Sequence, residues 1–260
     1  MSDIKDQFID IGGSIAEDTP VYRVFSKQRL IEMFTDKTLT LVAPHKWEDP
    51  FENFLSKCKA TVDGHPNVTI DNLFKNFYGQ CWTLKPESDA MWRIYSDPKK
   101  GFGARVKSTA GRLLRSIYNP HDPFAAMSYY IGRVLYESEA NLRLVFEHPS
   151  NATGVALDAT GRGQATTLFL KRQEFDHEAE VRLLYQFNKD GCSDQRPETI
   201  WQFPIIPNDL FDDVLFDPRM DSADFQKDEQ ALRALGFNKP IRQSSLYTLP
   251  NLKITIRSPI

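Results

Sequence analysis

Runs of β-branched and aromatic residues alternate with capped amphipathic stretches at irregular spacing, and that irregularity constrains the fold of this chain more than any other feature. Val21-Tyr22-Arg23-Val24-Phe25 is dense in strand formers. Ser26 follows as the N-cap of a stretch that places Leu30, Ile31, Met33 and Phe34 on one helical face. Leu39-Thr40-Leu41-Val42 predicts the next strand, ended by Pro44. Residues 77–84 then read as a strand, 87–95 as a helix and 101–107 as a strand, with Ser108 the expected cap of a helix to Tyr118 that turns Leu113, Leu114 and Ile117 inward. A strand is expected over 129–136, while 137–148 is open to a helix. Residues 164–172 predict a helix, 181–187 a strong strand, and 201–206 and 214–216 short strands. A last helix over 221–235 stops at Gly236 in the C′ position. A regular βαβ array would space these elements evenly, so the order predicts the α+β class, a mixed, mostly antiparallel sheet flanked by helices.

No internal repeat, low-complexity tract or Pro/Gly linker divides residues 1–260, which predicts one domain with 221–260 packed onto the rest. With 41% hydrophobic and 26% charged residues the chain resembles soluble globular proteins, so wholesale disorder is excluded. No run approaches the roughly 18 apolar residues of a membrane span. The start, Met1-Ser2-Asp3-Ile4-Lys5-Asp6, lacks the basic and apolar regions of a secretory signal. A cytoplasmic protein with no membrane partner is expected. Cys58, Cys81 and Cys192 are odd in number and show no C-x-x-C spacing, which predicts free thiols that serve packing.

The net charge of −3 argues against general affinity for nucleic acid. Locally, Lys99, Lys100, Arg105, Lys107, Arg112 and Arg115 run without an intervening acid, either a phosphate-facing patch or the solvated face of a strand and helix. The five histidines are scattered with no i, i+4 pair, and no metal is expected. Gly-rich phosphate loops and a G-x-S-x-G elbow are missing, which disfavours the common nucleotide folds and serine hydrolases. In Trp47-Glu48-Asp49-Pro50-Phe51-Glu52, Asp49 as N-cap, Pro50 at N1 and Glu52 at N3 suit the start of a helix better than a metal cluster. Glu178-x-Glu180 is the more informative pair. Strand alternation would put Glu178, Glu180 and Arg182 on one face, where two carboxylates divide catalytic labour or form a surface ladder with Arg182 or Arg172.

Several segments together resemble the domain-of-unknown-function family twenty-nine seventy-one. They are Tyr22-Arg23-Val24; Leu41 to Pro44 leading into Trp47-Glu48-Asp49-Pro50-Phe51-Glu52; Gly79-Gln80-Cys81-Trp82-Thr83 with Met91-Trp92 and Tyr95; Lys100-Gly101; and Lys171-Arg172, Phe175, Glu178, Glu180 and Arg182. The resemblance covers about residues 22–220. That family name implies no reaction. The order of an Arg on the first strand, a hydroxyl-bearing middle strand and a late Glu-x-Glu is similar to the Arg-Ser-Glu pattern of ADP-ribosyltransferases. The similarity implies an ADP-ribosyltransferase-like fold, NAD as substrate, and a bacterial toxin or defence effector that modifies a macromolecule, protein or nucleic acid. Carried over by position, Arg23 grips the dinucleotide, Thr83 shapes the nicotinamide pocket, Glu180 steers the ribose and Glu178 faces the acceptor. Tyr22, Trp82, Trp92 and Tyr95 are the candidate stacking residues. Cys81-Trp82-Thr83 departs from the usual Ser-Thr-Ser, which bears on the cofactor pocket. Two other readings stay open at this point. One is a metal-dependent nuclease or phosphodiesterase in which Glu48, Asp49, Glu178 and Glu180 gather divalent ions and Lys171 or the basic run holds phosphate. The other is a non-catalytic nucleotide- or protein-binding module.

Overall fold

The computed structural model describes residues 4–47, 49, 52, 57, 59–62, 64–69, 71, 74–156, 158, 160–188 and 197–256. Its strands are β1 (Phe8–Ile9), β2 (Pro20–Ser26), β3 (Thr38–Val42), β4 (Lys59–Val62), β5 (His65–Thr69), β6 (Phe77–Thr83) and β7 (Gly103–Thr109). They continue as β8 (Tyr129–Arg133), β9 (Leu135–Glu137), β10 (Leu170–Arg172), β11 (Glu180–Gln186), β12 (Ile200–Pro204), β13 (Asp213–Phe216) and β14 (Ile241–Gln243). The main sheet runs β1-β8-β11-β6-β2-β7-β13-β14, with β3 and β12 attached to β6 as a branch. Within it only β1 with β8 and β13 with β14 are parallel, and the other pairs are antiparallel. The α+β class with a mixed, mostly antiparallel sheet is thus the observed one.

β11 is central and buried on both faces. Alternation sends Val181, Leu183 and Tyr185 into the larger core, with Val21, Trp82 and Val106. Leu184 instead joins a smaller core with Phe77, Tyr130 and Phe169, so Glu180 and Arg182 share that second face.

The branch matters most for function. β6 pairs with β11 along its whole length, whereas its other edge is shared. Gly79 pairs with Val42 of β3, and Thr83 pairs with Tyr22 of β2. Between those two points the edge forks, and a cleft opens there. Gly79 permits it, because a Cβ at that position would lie 2.6 Å from the Trp47 ring and 2.7 Å from Leu184.

Local signals place most helices where the sequence predicts them. Ser26 Oγ accepts from the Arg29 amide at 3.4 Å and starts the helix Lys27–Asp36, which buries Leu30, Met33 and Phe34. The helix Ser222–Ala234 ends before Gly236, whose φ of 88° suits only glycine comfortably. Residues 137–148 contain the helix Glu139–Phe146, capped by Ser138. Two expectations need correction. Ser108 still belongs to β7 and donates to the Leu210 carbonyl at 2.7 Å, so the cap of the helix Ala110–Ile117 is Thr109. Residues 164–172 are not one helix. The helix Arg162–Thr167 stops because Leu168, Phe169 and Leu170 are all buried in succession, more than one helical face can provide, and β10 follows.

From Arg105 onward the basic run is paired with acids, while Lys99 and Lys100 lie exposed on the 3-10 turn Pro98–Lys100, with Lys100 4.0 Å from Asp97. Arg105 is buried against Asp213 at 2.9 Å, and Asp212 takes Arg112 at 2.7 Å and Lys107 at 3.7 Å. Arg115 pairs with Glu17. The acids arrive from β13 and its approach and, for Arg115, from Glu17 before β2, all distant in the chain, which is why the run looked unopposed. Cys81 is a free thiol; Cys58 and Cys192 lie outside the described residues. No helix among the described residues is long and apolar enough to cross a membrane.

Candidate active site

The cleft at the fork holds about 480 Å³, a volume suited to a small-molecule ligand. Tyr22, Thr83 and Glu180 stand in one row across it, since Tyr22 is the register partner of Thr83 and Thr83 that of Glu180. With strands roughly 4.8 Å apart, the outer two backbones are about 10 Å from each other. This pairing brings residues distant in sequence to one cavity.

Arg23 lies on the face of β2 opposite Tyr22, and its guanidinium enters the cleft through the opening of the fork. Nη1 donates to the Cys81 carbonyl, which the missing strand neighbour leaves available, and the guanidinium lies 5.1 Å from the Phe25 ring. Among the described residues it forms no ion pair, and its buried Nε has no hydrogen-bond partner. Burial pushes the Arg23 guanidinium down from its ordinary pKa, more than the fields of Cys81, Tyr95 and Glu180 push it up. A cation left in this state favours an anionic ligand that supplies the missing hydrogen bonds.

The opposite wall is a buried charge cluster. A 3-10 turn, Gln173–Glu178, is reversed at Ala179 with φ 46°, and β11 begins at Glu180. Glu178 therefore arrives by a left-handed turn and not by strand alternation, which corrects the expectation that it shares a strand face with Glu180. Thr83 Oγ1 fixes the turn by donating to the Glu178 carbonyl at 2.5 Å. Lys171 Nζ sits 2.6 Å from Glu178, 2.9 Å from Glu52 and 3.5 Å from Glu180. Arg182 Nη2 lies 2.8 Å from both Glu52 and Glu180, and its guanidinium covers the Trp47 ring at 4.8 Å. The Glu180 amide donates to the Tyr136 hydroxyl at 2.8 Å. Burial pulls the Glu180 carboxyl up, but Arg182 and Lys171 outweigh it and hold the group below its usual range. Glu52 goes the other way, pushed up by burial. The surface ladder considered for Glu180 and Arg182 is replaced by a cluster with every member under a tenth exposed.

Glu52 also departs from the capping arrangement. Its carboxylate is taken by Lys171 and Arg182, and the Asp49 carboxylate accepts from Arg172 at 3.2 Å. Glu48 and Pro50 lie outside the described residues. Because the Glu178 and Glu180 oxygens face ammonium and guanidinium nitrogens, this wall is organised around cations the protein itself provides. No cluster of three or more metal-ligating side chains occurs among the described residues.

The aromatic candidates divide. Tyr22 lines the cleft with Arg105 5.0 Å from its ring, and Tyr95 stands half-exposed at the mouth, its phenol pushed up to about 12 by burial and by Glu178. Trp82 contributes to the wall, but its indole is buried in the larger core and donates to Gln80 at 2.9 Å. Trp92 is not brought to the cleft at all. It is fully buried and donates to Glu87 at 2.9 Å, while Met91 and Tyr95 one turn apart face the cavity. Helical periodicity does not separate Trp92 from Tyr95, which are three apart, but it does turn Trp92 about 100° from the cleft-lining Met91. Sequence reasoning missed Glu52 as a cleft residue, and also Phe175, whose ring lies 4.8 Å from Lys171 Nζ.

No protein-family model and no curated protein matches the chain, so the family resemblance rests on the quoted motifs alone. Among solved structures the chain is similar to Thermus sp. 2.9 DarT in complex with NAD+, at 12% identity and a TM-score of 0.41 over 89% of this chain and 98% of that one. It is also similar to Thermus sp. 2.9 DarT in complex with ADP-ribosylated ssDNA, at 10% identity and a TM-score of 0.39 over 90% and 97% of the two chains. At that overlap the likeness assigns no residue a role.

Proposed function

We propose that the cleft binds NAD as a substrate and transfers its ADP-ribose to a macromolecular acceptor, protein or nucleic acid, as a toxin or defence effector would. The observation that carries this reading is the pairing of an uncompensated guanidinium, Arg23, with the Glu178 and Glu180 carboxylates across one cavity. The cation suits the pyrophosphate of a dinucleotide, through bidentate contacts that its free Nε and Nη groups can make. The carboxylates suit the ribose. When the bond between ribose C1′ and the nicotinamide nitrogen breaks, its electron pair leaves with nicotinamide and positive charge grows on C1′ and the ring oxygen. A fixed anion at Glu180 stabilises that state more than the ground state. The acceptor then bonds to C1′ and releases its proton on the Glu178 side. Tyr22, with Arg105 against one side of its ring, and the half-exposed Tyr95 are the aromatic rings that would pack on the bases.

Wild type, Glu180→Gln and Glu178→Gln are incubated with NAD and cell lysate in chelator, and free nicotinamide and labelled macromolecule are measured separately. Glu180→Gln is expected to lose about 10²–10³ in nicotinamide release, the usual cost of one electrostatic contact made in the transition state. Glu178→Gln should spare release more than transfer. Equal release by wild type and Glu180→Gln would sink the mechanism, and cleavage of nucleic acid in a parallel reaction with magnesium in place of chelator, without NAD turnover, would favour the nuclease reading.

A further inference from the structure

Among the described residues, Glu52, Glu178 and Glu180 bring three carboxylates within ion-pair distance of two cations, Lys171 and Arg182. The two cations are not equivalent. Arg182 reaches Glu52 and Glu180 and spends another nitrogen on the Leu168 carbonyl, so it leaves Glu178 untouched. Lys171 alone reaches all three. Resting on the transferase reading, we propose that Lys171 is the positioning residue of this site: by bridging the three carboxylates it keeps Glu178 and Glu180 ionised together and fixed at the cleft wall at neutral pH.

The groups facing the ammonium come from every element around it. Glu52 approaches from the segment after Trp47, Glu178 from the 3-10 turn and Glu180 from β11, with the Phe175 ring against Nζ. Tyr136 of β9 and Tyr95 of the helix Asp89–Tyr95 add phenols near the carboxylates. Cys81 of β6 is the register partner of Arg182 and sets its thiol against Glu180, Arg23 faces the cluster from β2, His177 lines the cleft beside Glu178, and Arg172 with Asp49 forms a separate pair at its edge. Lys46, at the end of the 3-10 turn Pro44–Lys46, also lines the cleft, but it makes no ion pair with Glu52, Glu178 or Glu180, so Lys171 is the ammonium that bridges them. Without it three buried carboxylates would share one guanidinium, and like charges at this spacing force one to bind a proton well above the ordinary carboxylate range. Glu52 and Glu180 would both keep Arg182, whereas Glu178 would lose the one ion-pair partner it has among the described residues, so the proton would fall within the catalytic pair and not on Glu52.

The test compares Lys171→Met, Lys171→Arg and the double variant Glu52→Gln/Lys171→Met. Nicotinamide release from NAD is followed against pH, and the glutamate side-chain carboxyls are titrated by carbon NMR. In Lys171→Met the acid limb of the rate profile should move up by about two pH units, with activity regained as the pH is raised. Lys171→Arg keeps the charge and should hold the limb in place. The double variant removes one carboxylate outside the catalytic pair together with the cation, and should return the limb towards wild type. A uniform loss at all pH values in Lys171→Met, or a double variant whose limb stays displaced, overturns the proposal. If Lys171→Met does not fold, the double variant decides by the same limb. If wild type releases no nicotinamide, the transferase reading fails separately, and the titration still judges Lys171. A glutamate ionising near neutral pH in Lys171→Met, absent from wild type and the double variant, supports its role; unchanged titration curves overturn it.

Discussion

Arg23 tests how a single residue divides its effect between binding and stability. Its guanidinium is desolvated without an ion-pair partner, so removing the charge relieves an unfavourable burial. Against that, the Cys81 carbonyl loses its donor, at a cost of about 1–3 kcal/mol for a buried acceptor. For Arg23→Met the two effects offset to within about 2 kcal/mol, so thermal unfolding should stay within a few degrees of wild type. Dinucleotide binding should not stay. Losing charge-assisted hydrogen bonds worth about 1.5–3 kcal/mol weakens NAD binding by roughly 10- to 100-fold, readable by calorimetric titration. A large drop in melting temperature with NAD affinity intact would make Arg23 a strut between β2 and β6 and nothing more.

At the scale of elements, the fork depends on Gly79. An added methyl would meet both Trp47 and Leu184 below 3 Å, so Gly79→Ala must displace the Trp47 ring that covers Arg182. Overpacking of this kind costs about 1–3 kcal/mol, seen as a lower urea midpoint, and the loosened wall should also slow NAD turnover. Wild-type stability and turnover in Gly79→Ala would show that the fork tolerates a wider spacing. The same level shows what the sequence could reveal. Strands β2, β6 and β11 and the helices capped by Ser26 and Gly236 carry their signals within a few residues, in side-chain branching, caps and a positive φ. Thr109 was missed because Ser108 is an equally good local cap, and only the β13 approach, through the Leu210 carbonyl, claims its hydroxyl. The Glu-x-Glu pair was legible as chemistry, but its geometry was not, since Ala179 takes an unfavourable left-handed turn that only the surrounding packing enforces. The Glu52–Arg182 contact joins residues 130 positions apart, and no local pattern announces such a pair. Trp92 misled for the opposite reason: a large aromatic near a motif is more often core than ligand platform.

Across the whole molecule the buried phenols and Lys171 set the response to alkali. Burial pushes Tyr95 and Tyr185 up to about 12 and moves Tyr129, Tyr130 and Tyr136 higher still. Lys171 is raised too, because Glu180 and Glu52 outweigh the burial that would lower it. In each case the fold favours the protonated form. Unfolded tyrosines ionise near pH 10 and unfolded lysine near 10.4. The stabilisation is therefore complete below about pH 10 and is lost as the pH rises towards the folded values, by up to about 1.4 kcal/mol per pH unit for each buried group. Tyr95 contributes less than that, since at 43% exposure solvent screens it. The acid side is gentler, because its carboxylates disagree. Glu180, held low, loses stabilisation only as the pH falls below about 4.3, whereas Glu52, held high, has by then regained stability on the way down towards that value. The protein should thus tolerate mild acid but unfold cooperatively between about pH 10 and 12. Tyrosinate absorbance and far-ultraviolet circular dichroism followed through one alkaline titration check this, and the two signals should change together, since most of these phenols ionise only when the chain opens. Tyrosinate appearing near pH 10 for all tyrosines while the circular dichroism stays native would show that the phenols are not shielded by the packing described here.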